Sequence, residues 1–367
     1  MVLTRRAHRL KARMCIALWL PNEVLTEIIK YSSKSDQAAL CRVSKLFYAL
    51  VLPILNHAVV LDFRRDNESH NHFARALIKN PERADTIRSL TITQKNEVNY
   101  DLIFESMELM QSLHYISLKD WCEPTTINSL NRLIFPQLSS FLLPARDGFS
   151  SPSARNLSRF FAQHPSITRL HLVVNSWRTV EPVQNFLPNL RESVGPTPLV
   201  RSLATQSLRA ARLCPVTELS TSDVQALKAL TNPGLPFVLS IDPGAGNRTL
   251  EVTIPAILST VSTEMPSYIH SLELRTFETG RLSTEIFNHI ITHLRRFTHL
   301  AYFSLTRFDA GYLGEFFVDI EAVEAAVALS PQTPARGSKW ESSGSSVPCK
   351  ISTYRPDFLY SMMQILE

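Results

Sequence analysis

A short apolar pattern that recurs at regular intervals constrains the fold of this chain more than any other feature. The pattern reads apolar-x-x-apolar-x-apolar, and it predicts a strand whose alternate side chains face a core. Four copies begin 26, 25 and 29 residues apart, and two later copies begin 31 residues apart. Amphipathic stretches at 73–79, 102–110, 127–134, 157–163 and 286–297 predict helices before five of the strands. The six copies are Ile87/Leu90/Ile92, Leu113/Ile116/Leu118, Leu138/Phe141/Leu143, Ile167/Leu170/Leu172, Ile269/Leu272/Leu274 and Leu300/Phe303/Leu305.

One strand and one helix in every 20 to 29 residues, roughly, is typical of leucine-rich repeats. In such a solenoid the strands stack in parallel and the apolar positions share one core. Only the unit at 167–175 ends in the Asn of the full repeat, so the repeats are irregular. Proline-rich pieces blur the register at 176–268, where we expect one or two degenerate units, near Leu190 and at 216–219. The alternative is an unrelated α/β domain, which the short period argues against.

The first sixty residues follow a different pattern, one of short helices. Pro21 and Glu23 suit the first turn of a helix, because proline lacks an N–H and a carboxylate favours the positive end of the dipole. This helix should stop near 32–33, and Ser35 or Asp36 can cap a second helix running from 37 to about 44. A third helix contains Pro53, which should distort or end it. Three such short helices bury little surface alone, so some apolar surface should meet a partner.

Residues 16–62 contain a Leu-Pro start at 20–21, the aliphatic pair Ile28-Ile29, and the segment Leu40-Cys41-Arg42-Val43-Ser44-Lys45-Leu46-Phe47. A Pro-x-Leu segment at 53–55 and a β-like stretch at 59–61 follow. In this order and spacing they resemble an F-box, particularly that of fungal F-box proteins. Phe47 stands where many members carry Trp, which keeps the aromatic character.

The resemblance implies a docking surface for the Skp-type adaptor of a cullin–RING ubiquitin ligase. Leu20 and Pro21 lie at the exposed entrance of the first helix, which favours the interface for both. Leu25, Ile29, Leu40 and Phe47 could equally belong only to the internal core. The adaptor contacts or their immediate supports are expected to be Leu20, Pro21, Val24, Leu25, Ile28, Leu40, Val43 and Phe47.

The net charge of +5 is concentrated at the amino terminus. Five basic residues and no acid fall in the first thirteen, so the rest of the chain is close to neutral, which argues against a basic nucleic-acid-binding face. The apolar run after these residues leads straight into a helix start without a cleavage site, and no stretch is long enough for a transmembrane helix. Five scattered cysteines suggest neither a disulfide framework nor a zinc cluster, and they fit a reducing compartment.

No catalytic constellation emerges from the sequence. The segment 244–249 lacks the Gly-Lys-Ser/Thr ending of a phosphate loop and is expected to be a turn. His289 and His293 share a helix face, but Ile290 stands where a zincin needs Glu, so a partly exposed histidine pair is expected. His70 and His72 are expected in a polar loop.

Together these observations predict a mixed α/β protein without cofactor or metal: a small all-α three-helix module followed by an irregular leucine-rich-repeat-like solenoid with parallel strands. The expected boundaries are a basic flexible arm at 1–15, the F-box-like module at 16–62, the solenoid at 63–329 with its irregular part at 176–268, and a mostly disordered tail at 330–367 that follows a terminal helix at 315–329. The expected function is that of a non-catalytic substrate receptor of an SCF-type ligase, intracellular, in the cytoplasm or nucleus, whose repeats bind a target protein. The alternatives are a repeat-based scaffold without a ligase role, and an enzyme within 176–268.

Overall fold

The computed structural model describes residues 20–63, 67–93, 100–119, 129–145, 151–174, 187–216, 219–243, 250–276, 284–307 and 350–353. The chain divides into two compact units. Unit 1 comprises Met1–Lys119 and Leu133–Leu138, and unit 2 comprises Asp120–Arg132 and Ser139–Glu367. The predicted basic arm, the predicted helix at 315–329 and nearly all of the predicted tail lie outside the described residues.

Unit 1 begins with three helices and continues as alternating strands and helices. Its described elements are α1 Asn22–Lys30, α2 Lys34–Leu40, α3 Lys45–Asn56, β1 Ala58–Asp62, α4 Asn67–Lys79, α5 Pro81–Ala84, β2 Ser89–Thr93, α6 Asp101–Glu108 and β3 Tyr115–Lys119. The three strands are parallel and neighbour one another in chain order. Leu90 pairs with Ile116 and Ile92 with Leu118, and all four side chains are fully buried, so the core repeats from strand to strand.

Unit 2 continues the same alternation over a longer stretch. Its described elements are β4 Ser140–Ala145, α7 Ser151–Gln163, β5 Arg169–Val174, β6 Glu192–Gly195, α8 Thr197–Val200, β7 Ala210–Val216, α9 Thr221–Leu230, β8 Phe237–Pro243, α10 Leu250–Glu264, β9 Ile269–Thr276, α11 Thr284–Leu294, β10 Tyr302–Arg307 and β11 Lys350–Thr353. Each strand pairs in parallel with the next along the chain.

The predicted fold class is confirmed: a helical amino-terminal segment precedes parallel strands arranged in sequence order, as in a solenoid. All six predicted strands are present, as β2, β3, β4, β5, β9 and β10. Four of the five predicted helices coincide with α4, α6, α7 and α11, and the fifth, at 127–134, lies partly outside the described residues.

The irregular region 176–268 holds three described strands where one or two degenerate units were expected. The strands β6 and β7 lie near the two expected positions, whereas β8 was not predicted. Its sequence, Phe237-Val238-Leu239-Ser240-Ile241, is an apolar run that lacks the spacing of the other copies. Burial on both sides explains this composition, because Val238 as well as Leu239 is buried.

Gly195 shows why the register of β6 is hidden in the sequence. A Cβ atom at this position would lie 2.7 Å from Leu199 Cδ2 and 2.8 Å from the backbone oxygen of Leu172, both closer than real Cβ atoms approach their neighbours. Glycine therefore allows the close approach of β5 to β6 and α8, where the usual pattern would have a leucine.

We expect Gly195→Ala to lower the free energy of unfolding by about 1–3 kcal/mol, because the added methyl group overfills a site bounded by rigid backbone. Urea unfolding measures this loss. Gly234→Ala is the matched control, since its new Cβ would meet Asn232 Oδ1 at an ordinary 3.4 Å. Equal losses for the two variants would contradict the overfilling argument.

Candidate functional site

Helix α1 presents two apolar rows to different surroundings. Pro21 is its N-cap, and Glu23 lies in the first turn beside the positive end of the helix dipole. Leu25 and Ile29, four residues apart, are buried in the module. Val24 and Ile28 form the adjacent row and remain exposed, Ile28 to 53%. The apolar stripe predicted for this helix is thus wider than the core of the module requires.

Helix α2 is held against α1 by a buried polar side chain that the sequence reasoning missed. The Gln37 amide nitrogen donates to the backbone oxygens of Ile29 and Ser32, at 2.9 and 3.1 Å. The predicted cap and start of this helix were wrong. Ser33 caps it, since its hydroxyl oxygen accepts from the Asp36 N–H, and the helix runs Lys34–Leu40. Asp36 accepts a hydrogen bond from the Ser33 hydroxyl, which explains why an acid three residues after the cap is favourable.

The turn between α2 and α3 exposes further apolar surface. Val43 is 65% exposed in this turn, and Leu40 and Phe47 on either side are half-buried. Ser44 caps α3 by accepting from the Phe47 N–H. Pro53 does not end α3, which continues to Asn56. Leu46 and Tyr48, in the first turn of α3, are exposed apolar residues outside the predicted contact set.

The structure thus places the predicted contacts in three environments. Pro21, Val24, Ile28 and Val43 are exposed, Leu20, Leu40 and Phe47 are half-buried, and Leu25 is buried. Because Leu25 is buried in the isolated chain, it can contribute to an interface only by supporting the exposed side chains around it. The assignment of these residues to an adaptor interface stays a prediction.

The helical module is joined to the first strand of unit 1 by a single residue. His57 separates α3 from β1, and its carbonyl oxygen accepts from the Arg88 and Ser89 N–H groups, each at 3.0 Å. The Arg83 guanidinium of α5 lies over the Tyr48 ring, 5.8 Å from its centroid, and donates to the Tyr48 hydroxyl. Lys34 donates to the backbone oxygens of Ile54 and Leu55 at the end of α3. The contacts of His57 and Arg83 hold the module against the strands and helices that follow it, whereas that of Lys34 joins α2 to α3 within the module.

A second group of functional candidates lies on the outer strand face of unit 2, defined by Arg212, Ser240, Asp242, Glu273 and Arg275. These residues alternate with the apolar core positions of β7, β8 and β9, so they point to the other face of the sheet. Arg212 donates to Asp242 Oδ2 from Nε and Nη2, at 3.0 and 2.6 Å. Ser240 donates to Glu273 at 2.9 Å, and Arg275 lies 2.9 Å from the other Glu273 oxygen.

Burial dominates the electrostatics of this outer strand face. It raises the pKa of the Asp242 carboxyl, although Arg212 and Arg275 oppose the rise. Burial also raises the pKa of the neighbouring Cys214 thiol to about 12, which leaves it protonated and unreactive at neutral pH. Mutually neutralised charges and an inert thiol form a buried polar cluster here, and they lack the features of an activated nucleophile.

The four histidines that the sequence singled out differ in their surroundings, and only His293 among them is buried. His293 is buried, and its Nδ1 lies 3.1 Å from the Ser262 hydroxyl, whereas His289 is exposed. Burial lowers the pKa of His293. The prediction of a polar loop at His70 and His72 was wrong, because both lie in α4, and His70 accepts from the Asp62 N–H. Within the described residues, no group of three or more potential ligands is placed to hold a metal. The segment 244–249 lies outside them.

The comparisons with known proteins agree with the amino-terminal geometry. A family model for the F-box domain matches residues 18–53, about a tenth of the chain. This confirms the resemblance inferred from the sequence, and the chain carries an F-box domain formed by α1, α2 and α3. The match does not extend to the leucine-rich-like part. The search of curated proteins found no match. Among the described helices, none has the length and apolar composition needed to cross a bilayer.

Proposed function

We propose that this chain is a non-catalytic substrate receptor of an SCF-type cullin–RING ubiquitin ligase. Its F-box domain docks on the Skp-type adaptor, and its strand-and-helix repeats bind a target protein. The proposed boundaries are the F-box module at 16–62 and the target-binding repeats at 63–329, which we interpret as degenerate leucine-rich repeats. The proposed location is intracellular, in the cytoplasm or nucleus.

The exposed apolar row of the F-box domain is the observation that carries this proposal. Val24 and Ile28 on α1 and Val43 in the following turn expose aliphatic side chains although buried positions are filled by Leu25, Ile29 and Val51. A domain of about forty residues that leaves such groups in water gains by covering them with a partner, at about 1.5–3 kcal/mol for each large aliphatic side chain fully buried.

The mechanism that follows is positional. The ligase brings a ubiquitin-loaded enzyme close to lysines of the target, which raises their effective concentration. This works best when adaptor and target are held at a fixed separation. The one-residue connection at His57 and the contact of Arg83 with Tyr48 limit bending between the F-box domain and the first repeat.

We expect the purified chain to capture the Skp-type adaptor. Leu20→Ala/Pro21→Ala should weaken that capture at least about tenfold, because the proposed interface buries both apolar side chains at the start of α1. Surface plasmon resonance with immobilised adaptor measures the affinity. Ile134→Ala is the control, since Ile134 is an exposed aliphatic residue of unit 1 outside the matched F-box segment.

Absence of binding by the unaltered chain would overturn the ligase proposal. It would favour the alternative, a repeat-based interaction scaffold in which the F-box domain is a structural cap. The contacts of α3 with α5 and β1 in unit 1 are the observation that supports this second candidate. If the F-box domain is only a structural cap, Leu20→Ala/Pro21→Ala should leave the binding of every partner unchanged.

A further inference from the structure

Two imidazole rings lie side by side where the chain enters neighbouring strands of unit 2. His270 is the second residue of β9, and His299 precedes β10. Their ring centroids are 5.6 Å apart, with an angle of 32° between the ring planes. His299 is exposed and His270 is half-buried, so solvent reaches the pair. Neither residue belongs to the F-box domain or to the outer strand face.

Backbone hydrogen bonds hold the two residues together although they are far apart in the sequence. The Ala301 N–H donates to the His270 carbonyl oxygen at 2.8 Å, and the Thr298 N–H donates to the Pro266 oxygen at 2.9 Å. These bonds lie on either side of His299 and fix its backbone against the segment that leads into β9. Side chains that the backbone already brings together lose little conformational entropy when a ligand binds between them.

Each ring also contacts a backbone carbonyl oxygen through Nδ1. The distance is 3.0 Å from His270 to Tyr268 and 2.8 Å from His299 to Ser267. A carbonyl oxygen only accepts, so each neutral ring carries its proton on Nδ1 and its lone pair on Nε2. The Phe237 N–H also points at the His270 Nδ1, but from 3.4 Å, and the shorter contact favours donation to Tyr268. Metal-binding histidines typically donate their other ring N–H to an oxygen in this way.

The histidine pair of α11 provides a comparison within the same unit. His289 and His293 have ring centroids 5.5 Å apart, so distance alone does not distinguish the two pairs. The His293 Nδ1 contacts the Ser262 hydroxyl, which can donate or accept and therefore leaves the tautomer open. His293 is also buried. Of the two pairs, the one formed by His270 and His299 combines access to solvent with two carbonyl-bound Nδ1 atoms.

The electrostatics of His270 favour its neutral form. Burial lowers the pKa of this imidazole; the hydrogen bond to Tyr268 opposes the change, and the charge of a protonated His299 adds to it. A lowered pKa keeps the ring neutral near pH 7, and the neutral ring is the form that binds a metal ion.

We propose that His270 and His299 together bind one divalent transition-metal ion, such as Zn²⁺, through their Nε2 atoms. Imidazole nitrogen suits zinc, copper and nickel, whereas magnesium and calcium prefer oxygen ligands. With Zn–N distances of about 2.0–2.1 Å, two imidazoles on one tetrahedral ion have ring centroids roughly 5 Å apart. The observed 5.6 Å therefore requires only a small movement of the exposed His299 ring. Water completes the coordination, and the site is independent of the proposed ligase role.

The test uses the full chain without a histidine-containing affinity tag. Isothermal titration calorimetry with Zn²⁺, and with Mg²⁺ for comparison, measures binding to the unaltered chain, to His299→Gln and to His270→Gln. Glutamine keeps an amide N–H donor but lacks the lone pair of the imidazole. His289→Gln is the matched control, because it removes an exposed histidine from the other pair. Circular dichroism confirms that each variant is folded, and His299→Gln decides the outcome if His270→Gln is not.

We expect saturable Zn²⁺ binding that weakens at least about tenfold in His299→Gln and in His270→Gln, and changes less than about twofold in His289→Gln. Binding should also weaken from about pH 7.5 to about pH 5.5, because a protonated imidazole cannot bind a metal. Equal affinity for Mg²⁺, equal losses in all three variants, binding that survives His299→Gln, or no saturable binding of Zn²⁺ up to millimolar concentration would overturn the proposal. Adaptor capture should be unchanged in every variant, which separates this test from that of the ligase role.

Discussion

An aspartate in place of Val43 is expected to abolish capture of the Skp-type adaptor, with at least about a hundredfold loss of affinity. The substitution removes an aliphatic side chain from the proposed interface and would bury a carboxylate in its place, which costs more than the lost contact alone. Val43 is 65% exposed in the isolated chain, so the fold should tolerate the change. Surface plasmon resonance against the adaptor measures the loss, and circular dichroism confirms the folded state.

The chain offers a closely matched control for this experiment. Val60 on β1 is 66% exposed and lies outside the matched F-box segment. Val60→Asp therefore introduces the same charge at the same exposure in the same unit. Capture that survives Val43→Asp, or that is lost equally with Val60→Asp, would contradict the assignment of this turn to the adaptor interface.

Arg212→Ala is expected to lower the free energy of unfolding of unit 2 by about 3–5 kcal/mol at neutral pH, because it leaves a buried carboxylate without its cation. The Asp242 side chain is 4% exposed and that of Arg212 11%. Glu273 lies on the next strand and adds a like charge. Urea unfolding measures the loss.

The stability loss caused by Arg212→Ala should depend on pH. Burial raises the pKa of Asp242 in the folded chain while Arg212 opposes the rise, so removal of Arg212 raises this pKa further. A carboxyl with a raised folded-state pKa binds more protons in the folded than in the unfolded chain. The free energy of unfolding of the variant chain therefore falls as pH rises from the ordinary aspartate pKa through the raised one. The gap between variant and unaltered chain should be smallest in acid and widest near neutrality.

The pair Lys30–Glu27 provides the control, because its N···O distance of 2.6 Å equals that between Arg212 and Asp242. Its side chains are 53% and 58% exposed, so Lys30→Ala should cost only about 0–1 kcal/mol. Equal losses of stability in the two variants, or a loss in Arg212→Ala that does not vary with pH, would contradict the argument that burial makes the Arg212–Asp242 pair stabilising.

Much of the fold could be predicted where the signal is local. The spacing of Leu90 with Ile92, and of Leu170 with Leu172, places alternate side chains in a core whatever the partner strand is, so these strands were predicted correctly. Capping was less predictable. Ser33, Ser35 and Asp36 can all cap a helix, and Ser33 does so because its extended backbone aims its hydroxyl at the Asp36 N–H.

The candidate site was predictable only in part. The Leu-Pro start and the Leu-Cys-x-Val-Ser segment indicated the F-box domain, which the family model confirms at residues 18–53. The buried role of Gln37 carried no usable signal, since glutamine is usually exposed and its two acceptors lie on another helix and in the following turn.

The sequence by itself determined the six strands that carry the recurring apolar pattern and the family of the amino-terminal domain, because strand periodicity and a short linear motif are properties of neighbouring residues. The tertiary structure alone decided which half of the α1 stripe is buried, Leu25 and Ile29 rather than Val24 and Ile28. It also decided that Arg212 meets Asp242 thirty residues later. Both depend on how separate elements pack and on strand register, which no local pattern encodes.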